Sequence, residues 1–274
     1  SKTDAVDGRI VSQWNDINPQ DSGLHARAGQ KTDTTQNTYN IASGGTSENT
    51  SGPTYIEDGI NHIPTLNFKQ SGSSGFQYLV ADQHMKNNPK DSITIFYVIR
   101  YKGGEGYPFD RVCYTTALGV DKCWNHQMYG VFSNKITSSG QLDFFLFYSD
   151  GLKTSECGNG ASIFLCDTGY DMIPGKSYVI TLQRDYGYSF ITYVNGSASY
   201  NAGSTIADKN TLDENDGELD YPTLKIGTHD FVNSLDLDMD ISEIIFFSGA
   251  IKKRDREEVE EYLGKKYDIP VSHE

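Results

Sequence analysis

Tyr178-Val179-Ile180-Thr181-Leu182-Gln183-Arg184, then Asp185-Tyr186-Gly187, then Tyr188-Ser189-Phe190-Ile191-Thr192-Tyr193-Val194 and Asn195-Gly196, reads as two strands with their turns. Both runs are rich in β-branched and aromatic residues, which suit a pleated, half-buried surface. In the first run Tyr178, Ile180 and Leu182 form a wholly apolar set, while Val179, Thr181 and Gln183 form a mixed one. That period of two belongs to a strand with one face on a core. The residues around Gly187 read as a tight hairpin, and Asn195-Gly196 is the strongest short turn signal a sequence offers, so the pairing is antiparallel.

Working outward, similar runs predict strands over Thr65 to Phe68, Phe76 to Val80, Ile93 to Tyr101, Met128 to Phe132, Asp143 to Tyr148, Thr223 to Ile226 and Met239 to Phe247. Many strands without βαβ alternation or a fixed repeat predict an all-β fold, a two-sheet antiparallel sandwich of jelly-roll type. One amphipathic helix is predicted, C-terminal, from Lys252 to Tyr267. Its apolar stripe is Val259, Tyr262, Leu263 and Tyr267, and Glu257, Glu258, Glu260, Glu261, Lys265 and Lys266 solvate its other face. Pro270 stops it. The organisation expected is a single domain over residues 1–274, with a polar lead-in over 1–51 and loop inserts at 103–125 and 149–168.

Composition narrows the function. The formal net charge of −14 would repel phosphate backbones, which argues against a nucleic-acid partner. Hydrophobic residues make up 36% of the chain and no run of about 18 apolar residues occurs, so this sequence is not expected to insert into a membrane. With 18 Tyr, 13 Phe and 2 Trp it carries ample packing material, and 27 Gly imply many turns. The sequence starts at Ser1 without a secretion signal, so any leader or anchor is expected outside it.

The four cysteines, Cys113, Cys123, Cys157 and Cys166, lack the C-x-x-C spacing of zinc or redox sites. Three pairings are possible on paper. Local pairing of Cys113 with Cys123 and Cys157 with Cys166 staples one Gly-containing or polar excursion each, stabilising each loop by roughly 2.5 kcal/mol. Bridges of this kind imply an extracellular or cell-surface setting, whereas four free thiols would imply a reducing compartment.

A longer pattern runs through the chain. Asp240-Ile241-Ser242-Glu243-Ile244-Ile245-Phe246-Phe247, then Ala250-Ile251, Arg256, Val259, Tyr262, Leu263, Lys266 and Tyr267, resembles the last strand and helix of the concanavalin A-like lectin and glucanase superfamily, specifically its laminin G-like jelly-roll modules. Val11-Ser12-Gln13-Trp14-Asn15-Asp16, Ile63-Pro64-Thr65-Leu66-Asn67-Phe68 and Tyr193-Val194-Asn195-Gly196 resemble earlier elements of that family in the right order. Such modules occur in bacterial adhesins, modular pilins and phage fibres. Trp14, Phe68 and Tyr262 fall within strand or helix patterns and read as core packing rather than ligand contacts.

Three groups could carry chemistry. The superfamily's glucanases imply paired carboxylates, which retaining hydrolysis needs about 5 Å apart. Asp236, Asp238 and Asp240 alternate onto one strand face, and a bulge could bring Glu243 round to them. The acidic turn holding Asp213, Asn215 and Asp216 offers oxygen ligands of the kind calcium takes, though without the order of an EF-hand loop. The first insert and its flank hold Tyr107, Asp110, Arg111, Trp124, Asn125, His126 and Tyr129. An aromatic face takes the C–H side of a pyranose, while amide, carboxylate and guanidinium groups satisfy its hydroxyls. Arg111 would suit an acidic sugar. The expectation is therefore a non-catalytic carbohydrate-binding module that engages glycans or glycoproteins, requires no cofactor and leaves room for calcium. The alternatives are a protein-binding or spacer module, or a glucanase. Peptide mapping of a non-reduced digest should recover Cys113 linked to Cys123 and Cys157 linked to Cys166; four alkylatable thiols on secreted protein would defeat the pairing.

Overall fold

The structure is a computed structural model that describes residues 7–11, 13–14, 26–28, 52–71, 75–77, 79–81, 92–104, 109–112, 132–136, 140–147, 163–185, 189–201, 223–227 and 237–273. Among these the strands are β1 (Gln13–Trp14), β2 (Ala26–Ala28), β3 (Thr54–Ile60), β4 (Ile63–Ser71), β5 (Gly75–Phe76), β6 (Leu79–Ala81), β7 (Ile93–Gly103) and β8 (Phe109–Val112). They continue as β9 (Phe132–Ile136), β10 (Gln141–Phe147), β11 (Ile163–Asp171), β12 (Ser177–Asp185), β13 (Ser189–Val194), β14 (Ser197–Asn201), β15 (Thr223–Ile226) and β16 (Asp238–Phe247), followed by helix α1 (Lys253–Tyr267). The chain is mostly β. Seven strands in the order β14-β13-β12-β7-β16-β4-β3 form one antiparallel sheet, with β5 attached to β4. A second antiparallel sheet runs β1-β2-β6-β15-β8-β9-β10-β11.

Strand β7 explains the layering. Ile95, Tyr97, Ile99 and Tyr101 are buried in a cluster that also takes Leu79, Ile136, Leu142 and Ile226 from the second sheet. Phe96 and Val98, on the opposite face, are equally buried, in a cluster with Val179, Leu263, Tyr267 and Ile269. A strand reading Ile-Thr-Ile-Phe-Tyr-Val-Ile has no polar face to offer water, so it takes the middle of its sheet with cover on both sides.

Turn chemistry fixes the registers. Asn195 and Gly196 both take positive φ (51° and 87°), the two-residue hairpin geometry that Asn-Gly favours. Asn61 and His62 repeat it (50° and 60°) between β3 and β4 without a glycine, and Asn61 Nδ2 donates to the Lys266 carbonyl at 3.2 Å, tying the hairpin tip to the end of α1. The helix starts at Lys253 and ends at Tyr267, with Asp268 in the left-handed region and acid in the first turn opposite Lys265 and Lys266 in the last.

Several expectations change. The lead-in over 1–51 contains β1 and β2, the insert over 103–125 contains β8, and the insert over 149–168 contains the start of β11. These segments are short or carry charge within the strand, so composition alone reads them as loops. The helix buries Arg256, Glu260, Leu263, Gly264 and Tyr267, while Tyr262 is 52% exposed. Tyr262 is therefore not core, and Glu260 does not belong to the solvated face. At 100° per residue, positions 256, 260, 263 and 267 centre the buried arc, and Tyr262 falls well outside it. Phe68 is fully buried and Trp14 is half-buried against the same core, as expected.

Gly227 sits where a side chain cannot. Its φ is +94°, and a Cβ there would overlap the Phe68 ring and come 2.9 Å from the Gln77 carbonyl. Gly227→Ala should lower stability by about 2 kcal/mol or more, read as a fall in urea midpoint at constant slope; an unchanged midpoint would show that the packing is loose.

Candidate functional site

Asp238, Asp240 and Glu243 lie in β16. Asp240 is wholly buried, and its Oδ2 accepts from Arg100 Nε at 2.8 Å and from Arg100 Nη2. Its Oδ1 faces Lys102 Nζ at 2.8 Å and accepts from Asn67 Nδ2 at 2.9 Å. The same Asn67 amide donates to Asp238 Oδ1 at 2.9 Å. Register shifts by one residue between Ile241, opposite Ile99, and Glu243, opposite Val98, so Ser242 is the extra residue of a bulge. Glu243 thus shares the helix-side face with Asp240, and it accepts from Lys266 Nζ at 2.8 Å and Tyr267 Oη at 2.9 Å. Partial burial lowers the Lys266 ammonium's pKa, but Glu243 and Tyr262 together outweigh it and the net direction is up. Burial and Glu243 together push the Tyr267 phenol well above its ordinary range. Asp236 lies outside the described residues.

This geometry joins strands rather than presenting chemistry. A hydrolytic pair needs carboxyl oxygens open to a substrate, whereas Asp240 is covered by two cations and an amide that bind β4, β7 and β16 together. Arg100 also donates to the Gly59 carbonyl of β3 at 3.3 Å. A second buried acid, Glu260, accepts from the Thr181 hydroxyl at 2.7 Å, with Arg256 Nε at 3.4 Å and His273 Nε2 at 3.0 Å. Burial raises its pKa, while Thr181, Arg256 and His273 pull it back down. Arg100, Lys102 and His273 were not singled out by sequence, and Asn67 and Arg256 entered only as letters of the family pattern, without a role. The one available signal was the placing of Arg100 and Lys102 just after the apolar run of β7.

Of the residues expected to hold a sugar, Asp110 and Arg111 lie in β8, with Asp110 opposite Lys225 and Ser133 and Arg111 opposite Leu224. Tyr107, Trp124, Asn125, His126 and Tyr129 lie outside the described residues. So do the calcium candidates Asp213, Asn215 and Asp216, as well as Cys113, Cys123 and Cys157. Cys166 lies in β11, opposite Phe144. Among the described residues no group of three His, Cys, Asp or Glu is placed to hold a metal ion.

The strand ends that flank these segments are informative. Val112 pairs with Thr223, and Asp110 with Ser133. Leu146 pairs with Phe132, and Phe147 with Ile163. The end of β8, the start of β9, the end of β10, the start of β11 and the start of β15 therefore lie at one end of the second sheet. Residues 113–131, 148–162 and 202–222 all join the sheet there. The start of β8 at Phe109, which residues 105–108 precede in the chain, lies at the other end, roughly 10 Å away along the strand.

No family model matches the chain, and no curated protein matches it by sequence. Among solved structures it is similar to the binding domain of botulinum neurotoxin DC in complex with rat synaptotagmin II (15% identity, 73% of this chain and 43% of that chain, TM-score 0.45). A receptor-binding domain of the mosaic serotype C/D, with tetraethylene glycol and sulfate bound, gives 13% identity over 77% and 44%, TM-score 0.47. The serotype D ligand-binding domain in complex with N-acetylneuraminic acid gives 14% over 72% and 42%, TM-score 0.45. The chain spans less than half the length of these structures. At such identities and scores the likeness assigns no family.

The ion-paired cluster makes an asymmetric prediction. Arg100→Leu strips the buried Asp240 of its two-pronged partner and should cost about 3 kcal/mol, whereas Asp240→Asn leaves two part-exposed cations that water can solvate and should cost about 1–2 kcal/mol. Chemical denaturation of both variants checks the order, and equal costs would mean that Asp240 is not the group that needs compensation.

Proposed function

We propose that the chain is a non-catalytic carbohydrate-binding module: a laminin G-like jelly-roll sandwich of the concanavalin A-like superfamily, displayed outside the cell on an adhesin, appendage or fibre. The observation that carries the reading is the common end of the second sheet, where the segments holding Trp124, Asn125, His126 and Tyr129 and the acidic turn of Asp213, Asn215 and Asp216 both join it. Binding groups gather where loops leave a rigid sheet at one end. A stacking ring, planar amides and a cation there would suit a pyranose, and Arg111 would favour an acidic one. The neurotoxin domains that bind N-acetylneuraminic acid or synaptotagmin are too distant to assign either ligand here. The described carboxylates of β16 are engaged in architecture, which leaves the glucanase reading without a placed acid and nucleophile. Calcium remains a candidate occupant of the acidic turn.

A glycan array with and without chelator tests the reading: bound sugar supports it, and a protein ligand with no bound sugar supports a protein-binding or spacer module of the same fold. Trp124→Ala should remove most glycan binding at nearly constant melting temperature, because a ring at an open rim contributes little to the fold. A core Trp would instead cost about 3–5 kcal/mol and melt early. Early melting, or binding equal to the parent, would move the site elsewhere on the module.

A further inference from the structure

Strand β3 ends the first sheet on its side, and an end strand presents a row of backbone groups to any strand that comes alongside. Here residues 7–11 meet that row. The Gly8 amide donates to the Tyr55 carbonyl and the Tyr55 amide to the Arg9 carbonyl, both at 2.8 Å. The Val11 amide donates to the Pro53 carbonyl at 2.8 Å, and the Glu57 amide donates to Asp7 Oδ1 at 2.9 Å. Apolar burial contributes little to this hold. Asp7, Gly8, Arg9 and Ile10 are exposed, Ile10 at 61%, and Val11 is partly buried against the inter-sheet cluster.

The same row is complementary to itself. With a second copy of β3 laid antiparallel, Tyr55 opposite Tyr55, each Tyr55 amide meets the other copy's Tyr55 carbonyl. Two positions along, each Glu57 amide meets the other copy's Pro53 carbonyl, because hydrogen-bonded pairs recur at every second residue of an antiparallel ladder. These are the four groups that residues 7–11 satisfy. Pro53 has no amide hydrogen, and this pairing asks it only to accept. Charge agrees with the register. Glu57 falls opposite Pro53 and Asp58 opposite Gly52, so no acid of this strand faces an acid, although the chain carries a net charge of −14.

We propose that the β3 edge is a two-fold pairing surface for a second copy of this chain, and that residues 7–11 are the guard that holds it shut. Release of the guard bares the Pro53 and Tyr55 carbonyls and the Tyr55 and Glu57 amides. An isologous antiparallel contact satisfies all four at once on both copies. The guard is held by backbone bonds along an exposed edge, so it competes with the second copy on equal chemical terms.

Sedimentation velocity of the whole chain and its variants tests the proposal. Gly8→Pro with Val11→Pro removes both amides that the guard donates to β3, and Pro cannot take the φ of 76° found at Gly8. This double variant should self-associate at least about tenfold more tightly than the parent, since several edge groups are left bare. Asp7→Ala frees only the Glu57 amide and should fall between the two; as a change of one exposed side chain it keeps the test open should the double variant fail to fold. Adding Glu57→Pro to the double variant takes away the amide that the second copy needs, at an exposed position of an end strand, and should return association to the parent level. Asp7→Ala no tighter than the parent, or association of the double variant that survives Glu57→Pro, overturns the proposal.

Discussion

Burial of both faces of β7 is the constraint on which the rest of the structure depends. An antiparallel strand with one wet face needs a single layer of cover, but Phe96 and Val98 exclude water as completely as Ile95, Tyr97 and Ile99 on the other side. The second sheet supplies the cover on one side and α1 with Ile269 and Val271 on the other. The helix is thus part of the core rather than an appendage. Its apolar residues and those of β16 (Ile245 and Phe247) meet over the same half of the sheet.

Where the helix stops, the sheet changes character. Beyond Lys266 and Tyr267 the same face carries Glu243, Asp240, Arg100, Lys102 and Asn67, a polar half in which four donor contacts compensate one buried carboxylate. A buried charge is costly unless its lone pairs are met, and here meeting them requires β4, β7 and β16 to be in register at once. The acids that look most chemical in the sequence are thereby used as fasteners. The segments richest in ligand-like residues leave from one end of the other sheet.

Much of this was legible from local pattern. The runs that became β7, β12, β15 and β16 announce themselves by density of β-branched and aromatic residues, and Asn195-Gly196 marks its turn unambiguously. Less legible were strands such as β3 and β8, where Glu57, Asp58 and Gly59, or Asp110 and Arg111, interrupt the apolar pattern. Their strand state comes from pairing with neighbours, a tertiary fact that no window of sequence contains. The same holds for Glu260. Within the helix it looks like one more solvated acid, and its burial depends on Thr181, 79 positions earlier, and on His273 beyond the helix end. Of the sugar candidates, only Asp110 and Arg111 fall in described strand, and the placing of the others rests on where their flanking strands end.

The extra residue at Ser242 gives β16 something like a reading frame. Before it, Met239 and Ile241 point to the inter-sheet core; after it, that role passes to Ile244 and Phe246, while Ile245 and Phe247 turn to the helix. Loss or gain of a single residue near this point would exchange the two sets and present every later side chain to the wrong layer. Variation in chain length should therefore be confined to the segments between strands, and the last strand of this protein should tolerate change of letter far better than change of count.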